Sequence, residues 1–303
     1  MERMKQERIL IAMVMIMSMG RPDLYSQPVK VIPDILVSTD WLENNLSDPS
    51  MVILHYGNKA RFERGHIPNA RLISLKDVIE DIENGLKHEL PDDLSIEQTM
   101  RSWGINNDSK IIISYDDDEA LTLAARLYFT FDYAGLGNRT AILNGGFPAW
   151  KSEHKALAKE GPDFAEGTIR IRPDSSLVTD KNRVYSNLNN DHVVIIDARP
   201  ENIYSGATKD RNEPRNGHIE GAVNIPFSSL STAESPPHLK KKNELRKLFV
   251  DQGIGPGQTL VAYCDSGLLA SLVYFAAKLV GYKVRLYDAS YQEWRNDDTL
   301  PIN

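Results

Sequence analysis

The chain has 303 residues, 41% hydrophobic and 25% charged, with a formal net charge of -7 and one cysteine. That length is about twice a usual domain, so two domains are expected. The acidic balance argues against nucleic acid as partner, because phosphate binding wants a basic face, and a lone cysteine excludes an intramolecular disulfide.

At the N-terminus Arg3, Lys5 and Arg8 precede the apolar stretch ILIAMVMIMSM, residues 9–19. The stretch falls short of the ~20 residues that cross a bilayer. A basic start followed by a short apolar run reads as a secretory signal peptide over residues 1–26, cut after Ser26. The expectation is an exported protein, periplasmic or secreted. The alternatives are an uncleaved N-terminal tether or a cytoplasmic chain, and no other membrane contact is expected.

Short apolar runs then alternate with helix-like segments. MVILHY (51–56), RLISL (71–75) and KIIISY (110–115) read as strands in the first half, and VVIIDA (193–198), TLVAYC (259–264) and KVRLYD (283–288) in the second. Runs apolar on both faces suit a parallel sheet covered by helices. Leu268 to Val280 carries apolar residues at helical spacing and stops before Gly281.

The two halves also match each other. RGHIPNA (64–70) pairs with NGHIEGA (216–222), IIISYDDDEALTLAARLYF (111–129) with LVAYCDSGLLASLVYFAAKL (260–279), and AILNGGFPAW (141–150) with VRLYDASYQEW (284–294). Three matched pairs in one order indicate a duplicated domain, with a seam from Lys151 to Pro173. The expected fold class is α/β: two tandem domains, 33–155 and 174–303, each a parallel sheet flanked by helices.

Cys264 falls at a strand end just before a helix, where open α/β sheets place their ligands. A helix N-terminus offers free N–H groups and partial positive charge. The thiol pKa is therefore expected to fall and the nucleophilic fraction to rise. Asp265, Ser266 and Gly267 are short enough for the backbone to curl around the sulfur. The bland alternative is a buried small hydrophobe.

The motifs FERGHIPNA (62–70), EPRNGHIEGAVNIPF (213–227), YCDSG (263–267) and YDASYQEW (287–294) resemble those of tandem rhodanese-type sulfurtransferases, the thiosulfate and 3-mercaptopyruvate sulfurtransferase family. The resemblance covers roughly residues 33–300. Ala289 and Tyr291 stand where that family has Gly and Trp. It implies an inactive first domain, with Asp116 in the place of Cys264, and a catalytic second domain. It also implies sulfur transfer through a Cys264 persulfide, from a small anionic donor to a thiol or cyanide, with no metal and no organic cofactor.

The resemblance further assigns candidates. Ser266 matches a serine proposed to relay a proton in mercaptopyruvate enzymes, and His88 a histidine that contacts their site. The aspartate of that relay would fall at Lys76, with Asp77 beside it. Arg215 matches the carboxylate-binding arginine, the alternative being an ion pair with Glu213 or Glu220. Arg199, which follows Asp197 in IIDARP, is a second donor-binding candidate, against a structural ion pair. A further arginine usual in the family is absent from Asn202–Ser205. Asp265, Gly267, Leu268 and Leu269 complete the persulfide loop, with Leu269 where the family commonly has Thr. Asp265 places a negative charge where thiosulfate enzymes have a positive one, which disfavours a dianion. His66 and His218 are expected to hold loops rather than catalyse.

A cysteine phosphatase is the nearest enzymatic rival, but Ala270 stands where its phosphate-gripping arginine would be. The other alternative is a degenerate rhodanese acting as a non-enzymatic sulfur carrier or protein-binding module. Neither a metal-ligand cluster nor a glycine-rich phosphate loop is evident.

Overall fold

A computed structural model describes residues 32–81, 85–117, 120–208 and 215–303. The proposed signal peptide lies outside the described residues. None of the described helices is long and apolar enough to cross a membrane.

Among the described residues, ten strands form two five-stranded sheets. The first contains β1 (Leu36–Val37), β2 (Met51–Tyr56), β3 (Ala70–Ile73), β4 (Lys110–Tyr115) and β5 (Thr140–Leu143), in the order β1-β5-β4-β2-β3. The second contains β6 (Val178–Thr179), β7 (Val193–Asp197), β8 (Val223–Asn224), β9 (Thr259–Tyr263) and β10 (Lys283–Tyr287), in the order β6-β10-β9-β7-β8. All pairings are parallel, with Ile53 beside Ile112 in the first sheet and Ile195 beside Val261 in the second. The same order in both sheets is the structural counterpart of the sequence repeat.

The central strands read as unbroken apolar runs because both their faces are covered. The expected RLISL strand ends at Ile73, where Ser74 and Asp77 cap a single 3-10 turn. The seam follows the first half as ordered, irregular chain. Gly167 donates to Arg101 and Ile169 to Ile105. A Cβ on Gly167 would meet the Ile105 carbonyl oxygen at 2.0 Å, so only glycine fits there.

The halves share one core. The Ala120–Tyr133 helix of the first packs on the Ala270–Leu279 helix of the second, each apolar almost all round, as burial on every side demands. Edge-to-face pairs join them, Tyr128 with Phe275 at 4.8 Å and Phe129 with Tyr274 at 5.0 Å. One continuous apolar cluster runs from Val52 and Leu54 through this contact to Leu260 and Leu286.

Candidate active site

Cys264 follows the last residue of β9 and precedes the Ala270–Leu279 helix. The N–H groups of Ser266, Leu269 and Ala270 are hydrogen-bonded to its sulfur, which is the expected cradle. Gly267 closes the turn at φ +80, where a Cβ would press on the Asp288 carbonyl oxygen at 2.9 Å and the Arg126 guanidinium at 3.1 Å. The thiol, however, is only 1% exposed. Burial pushes its pKa up, Asp265 adds to the rise, and the three N–H groups do not win it back. The expected fall is thus corrected. A helix terminus acts locally on the thiol, whereas its desolvation comes from the tertiary packing around it.

The loop is clamped by the YDASYQEW segment. Cys264 N–H donates to Ser290 Oγ at 3.2 Å, Tyr291 N–H to the Cys264 carbonyl and Gln292 N–H to the Asp265 carbonyl. Gln292 then crosses to the first half, exchanging two hydrogen bonds of 3.0 Å with the backbone of Lys87.

That segment of the first half completes the site. His88 Nδ1 lies 2.8 Å from Ser266 Oγ. Its backbone sits at φ +63, a strained conformation for a non-glycine residue and one often found at functional positions. Partial burial lowers the His88 pKa, with Arg126 and Lys87 acting in the same direction and Asp81 in the other. Asp81, not Asp77, is the carboxylate beside it, accepting the His88 backbone N–H at 3.1 Å. Asp77 is spent on the 3-10 turn, with Lys76 next to it in that turn.

Beneath this loop the fully buried Arg126 reaches from the first half to Asp288 of the second and donates to the His88 carbonyl at 2.7 Å. Asp288 also accepts Leu90 N–H at 2.8 Å. Glu89 lies between them with one carboxylate oxygen buried and without a hydrogen-bond partner. Burial, then Asp288, pushes its carboxyl up to about 8.

Over the loop lies a cavity of about 270 Å³ lined by Arg199, Arg215, Asp265, Leu269, Tyr291 and Arg295 among others. Arg199 takes the ion-pair alternative: it grips Asp197 through Nε and Nη2, donates to the Gly217 carbonyl, and stacks 4.0 Å from the Tyr291 ring centre. Arg215 donates to the backbone carbonyls of Asp297 and Leu300 at 2.7 and 2.6 Å. Glu213, one proposed ion-pair partner, lies outside the described residues. Leu268 packs on the apolar core and is not among the residues lining the cavity. A cavity of about 230 Å³ lined by Thr259 and Lys283 sits at the opposite, amino ends of the strands.

His66 and His218 play matching structural parts. Each ring donates its Nδ1–H to a backbone carbonyl, Phe62 or Tyr204, and stacks on that residue's ring at 3.7 or 3.8 Å. In the first half Asp116 stands at the end of β4, held by His55 Nε2 at 3.1 Å and Asn58 N–H at 2.7 Å. Burial pushes its carboxyl up, and these hydrogen bonds outweigh it, leaving the pKa below the ordinary value. Arg295, Gln292, Arg126 and Asp81 were not singled out from sequence.

A model of the Rhodanese-like domain matches residues 38–153 and 180–297. The 3-mercaptopyruvate sulfurtransferase of Escherichia coli is 29% identical over 279 residues, covering 88% of this chain and 96% of that one. The thiosulfate sulfurtransferase of Gallus gallus is 29% identical over 239 residues, covering 78% and 80%. The solved structure of SseA, a 3-mercaptopyruvate sulfotransferase from Escherichia coli, superposes with a TM-score of 0.73 at 27% identity, over 84% of this chain and 98% of that one.

Proposed function

The chain belongs to the rhodanese family, and we propose that it is a sulfurtransferase that carries sulfur on Cys264, with 3-mercaptopyruvate as its donor. The observation that carries this reading is the pairing of His88 with Ser266 beside a cysteine held in a cradle of N–H groups.

A thiol buried this deeply must lose its proton locally. His88, with its pKa lowered, is neutral near pH 7 and able to accept a proton through Ser266. The Cys264 thiolate attacks the donor sulfur. An S–S bond forms, the donor C–S bond breaks, and its electron pair leaves as the pyruvate enolate, which takes up a proton. The persulfide stays under the N–H groups of Ser266, Leu269 and Ala270, oriented for an anion. A thiol or cyanide then attacks the outer sulfur and returns the Cys264 thiolate. Arg215, at the edge of the cavity, is the donor's carboxylate anchor in this scheme.

The test is thiocyanate formation from cyanide with 3-mercaptopyruvate and thiosulfate side by side. Turnover with mercaptopyruvate that disappears in Cys264→Ser, a near-isosteric change that leaves the fold intact, supports the reading. The near-complete burial of the sulfur favours a second reading, a sulfur carrier or binding module. A persulfide on Cys264 by mass spectrometry, without multiple turnover from any donor, selects it.

A further inference from the structure

The residue next to the nucleophile is a carboxylate, which is electrostatically awkward. Asp265 raises the Cys264 pKa and repels an anionic donor. It is the one carboxylate among the described residues lining the cavity over the loop. Its partner resolves the difficulty: Arg295 Nη1 donates to Asp265 Oδ1. The Arg295 side chain is 15% exposed, that of Asp265 52%. The guanidinium is thus held in place by its surroundings, while the carboxylate is half in water and free to leave.

The other cations of the cavity are committed differently. The Arg199 charge is matched by the buried Asp197. Arg215 spends two donors on backbone carbonyls, which carry no net charge. An anion entering the cavity meets Arg215 on one side and, on the other, an Arg295 whose Nη1 already donates to a carboxylate of this same chain.

We propose that Arg295 is a donor-binding residue of this site and that Asp265 is its internal counter-ion, displaced when an anionic donor binds. The proposal rests on the sulfurtransferase reading and adds the residue pair that sets its donor preference. A monocarboxylate exchanges one for one with Asp265 on the guanidinium fork, a geometry that suits planar carboxylates. A dianion leaves a surplus charge facing the displaced Asp265. The site therefore selects thiol donors with a single carboxylate over thiosulfate.

The experiment measures binding without turnover, by calorimetry of pyruvate and of thiosulfate on Cys264→Ser protein and on the same protein carrying Asp265→Asn, Arg295→Gln or both. Circular dichroism checks that each variant is folded. Arg295→Gln is expected to weaken pyruvate about tenfold. Asp265→Asn is expected to tighten both anions, thiosulfate the more. In the Arg295→Gln background the gain from Asp265→Asn should shrink for pyruvate to what relief of repulsion alone supplies, because no guanidinium is left to release. An equal gain in both backgrounds means simple repulsion and overturns the proposal, as does unchanged binding in Arg295→Gln or no saturable binding of either anion. Failure of the sulfurtransferase reading shows separately, as absence of thiocyanate from the Cys264 enzyme.

Discussion

Arg126 ties the half without a cysteine to the half with one, and its removal has a calculable effect. The guanidinium is fully buried and Asp288 is 7% exposed at its side chain. Removing one partner of a buried pair costs about 3–5 kcal/mol, because the other charge is stranded. Asp288 keeps the Leu90 N–H, so the lower end, about 3 kcal/mol, is expected for Arg126→Met. Replacing both partners, Arg126→Met with Asp288→Leu, should restore most of the stability, since apolar pairs of similar volume substitute well. Activity should not return with it. The His88 carbonyl has lost its anchor in both variants, and His88 no longer holds Ser266 in register. Urea unfolding of the three proteins, with kcat for mercaptopyruvate on each, reads both effects. Stability of Arg126→Met within about 0.5 kcal/mol of the parent, the scatter of surface changes, would refute the argument. Recovery of kcat in the double variant would refute its catalytic half.

Glu89 carries a folded-state pKa raised from 4.5 to about 8, so the folded chain holds a proton the unfolded chain releases. Stability should therefore fall as pH rises from about 4.5 to about 8. Glu89→Gln should match the parent near pH 4.5 and exceed it by about 1–2 kcal/mol at pH 8, after discounting for partial exposure; a gain independent of pH in thermal melts would show the cause is elsewhere. Asp81 raises the His88 pKa, so Asp81→Asn should move the acidic limb of the kcat/KM profile to lower pH without loss at the plateau. A limb that stays put removes His88 from the rate.

The legibility of this chain followed burial. β2, β4, β7 and β9 were plain because a strand covered on both faces is a solid apolar run. The two-residue strands β1, β6 and β8 escaped, because two residues have no period and are held in place by their neighbours. Cys264, Ser266 and His88 were found through motifs, and the fold brings them together. Arg295 was invisible because its meaning depends on a partner 30 residues away. Asp81 was missed because no repeating period in the sequence ties it to His88. Arg199 was readable only as a choice, which the bidentate grip of Asp197 decides.

The shared core has a consequence in time as well as in space. Chains leave the ribosome N-terminus first, at about 5–20 residues per second. The Ala120–Tyr133 helix is complete while the Ala270–Leu279 helix, roughly 150 residues on, is still to be made. For on the order of 10 s the aromatic face of Tyr128 and Phe129 has no partner. The first half thus emerges as a template with an open apolar side, and the nucleophile and its helix, made later, are folded onto it.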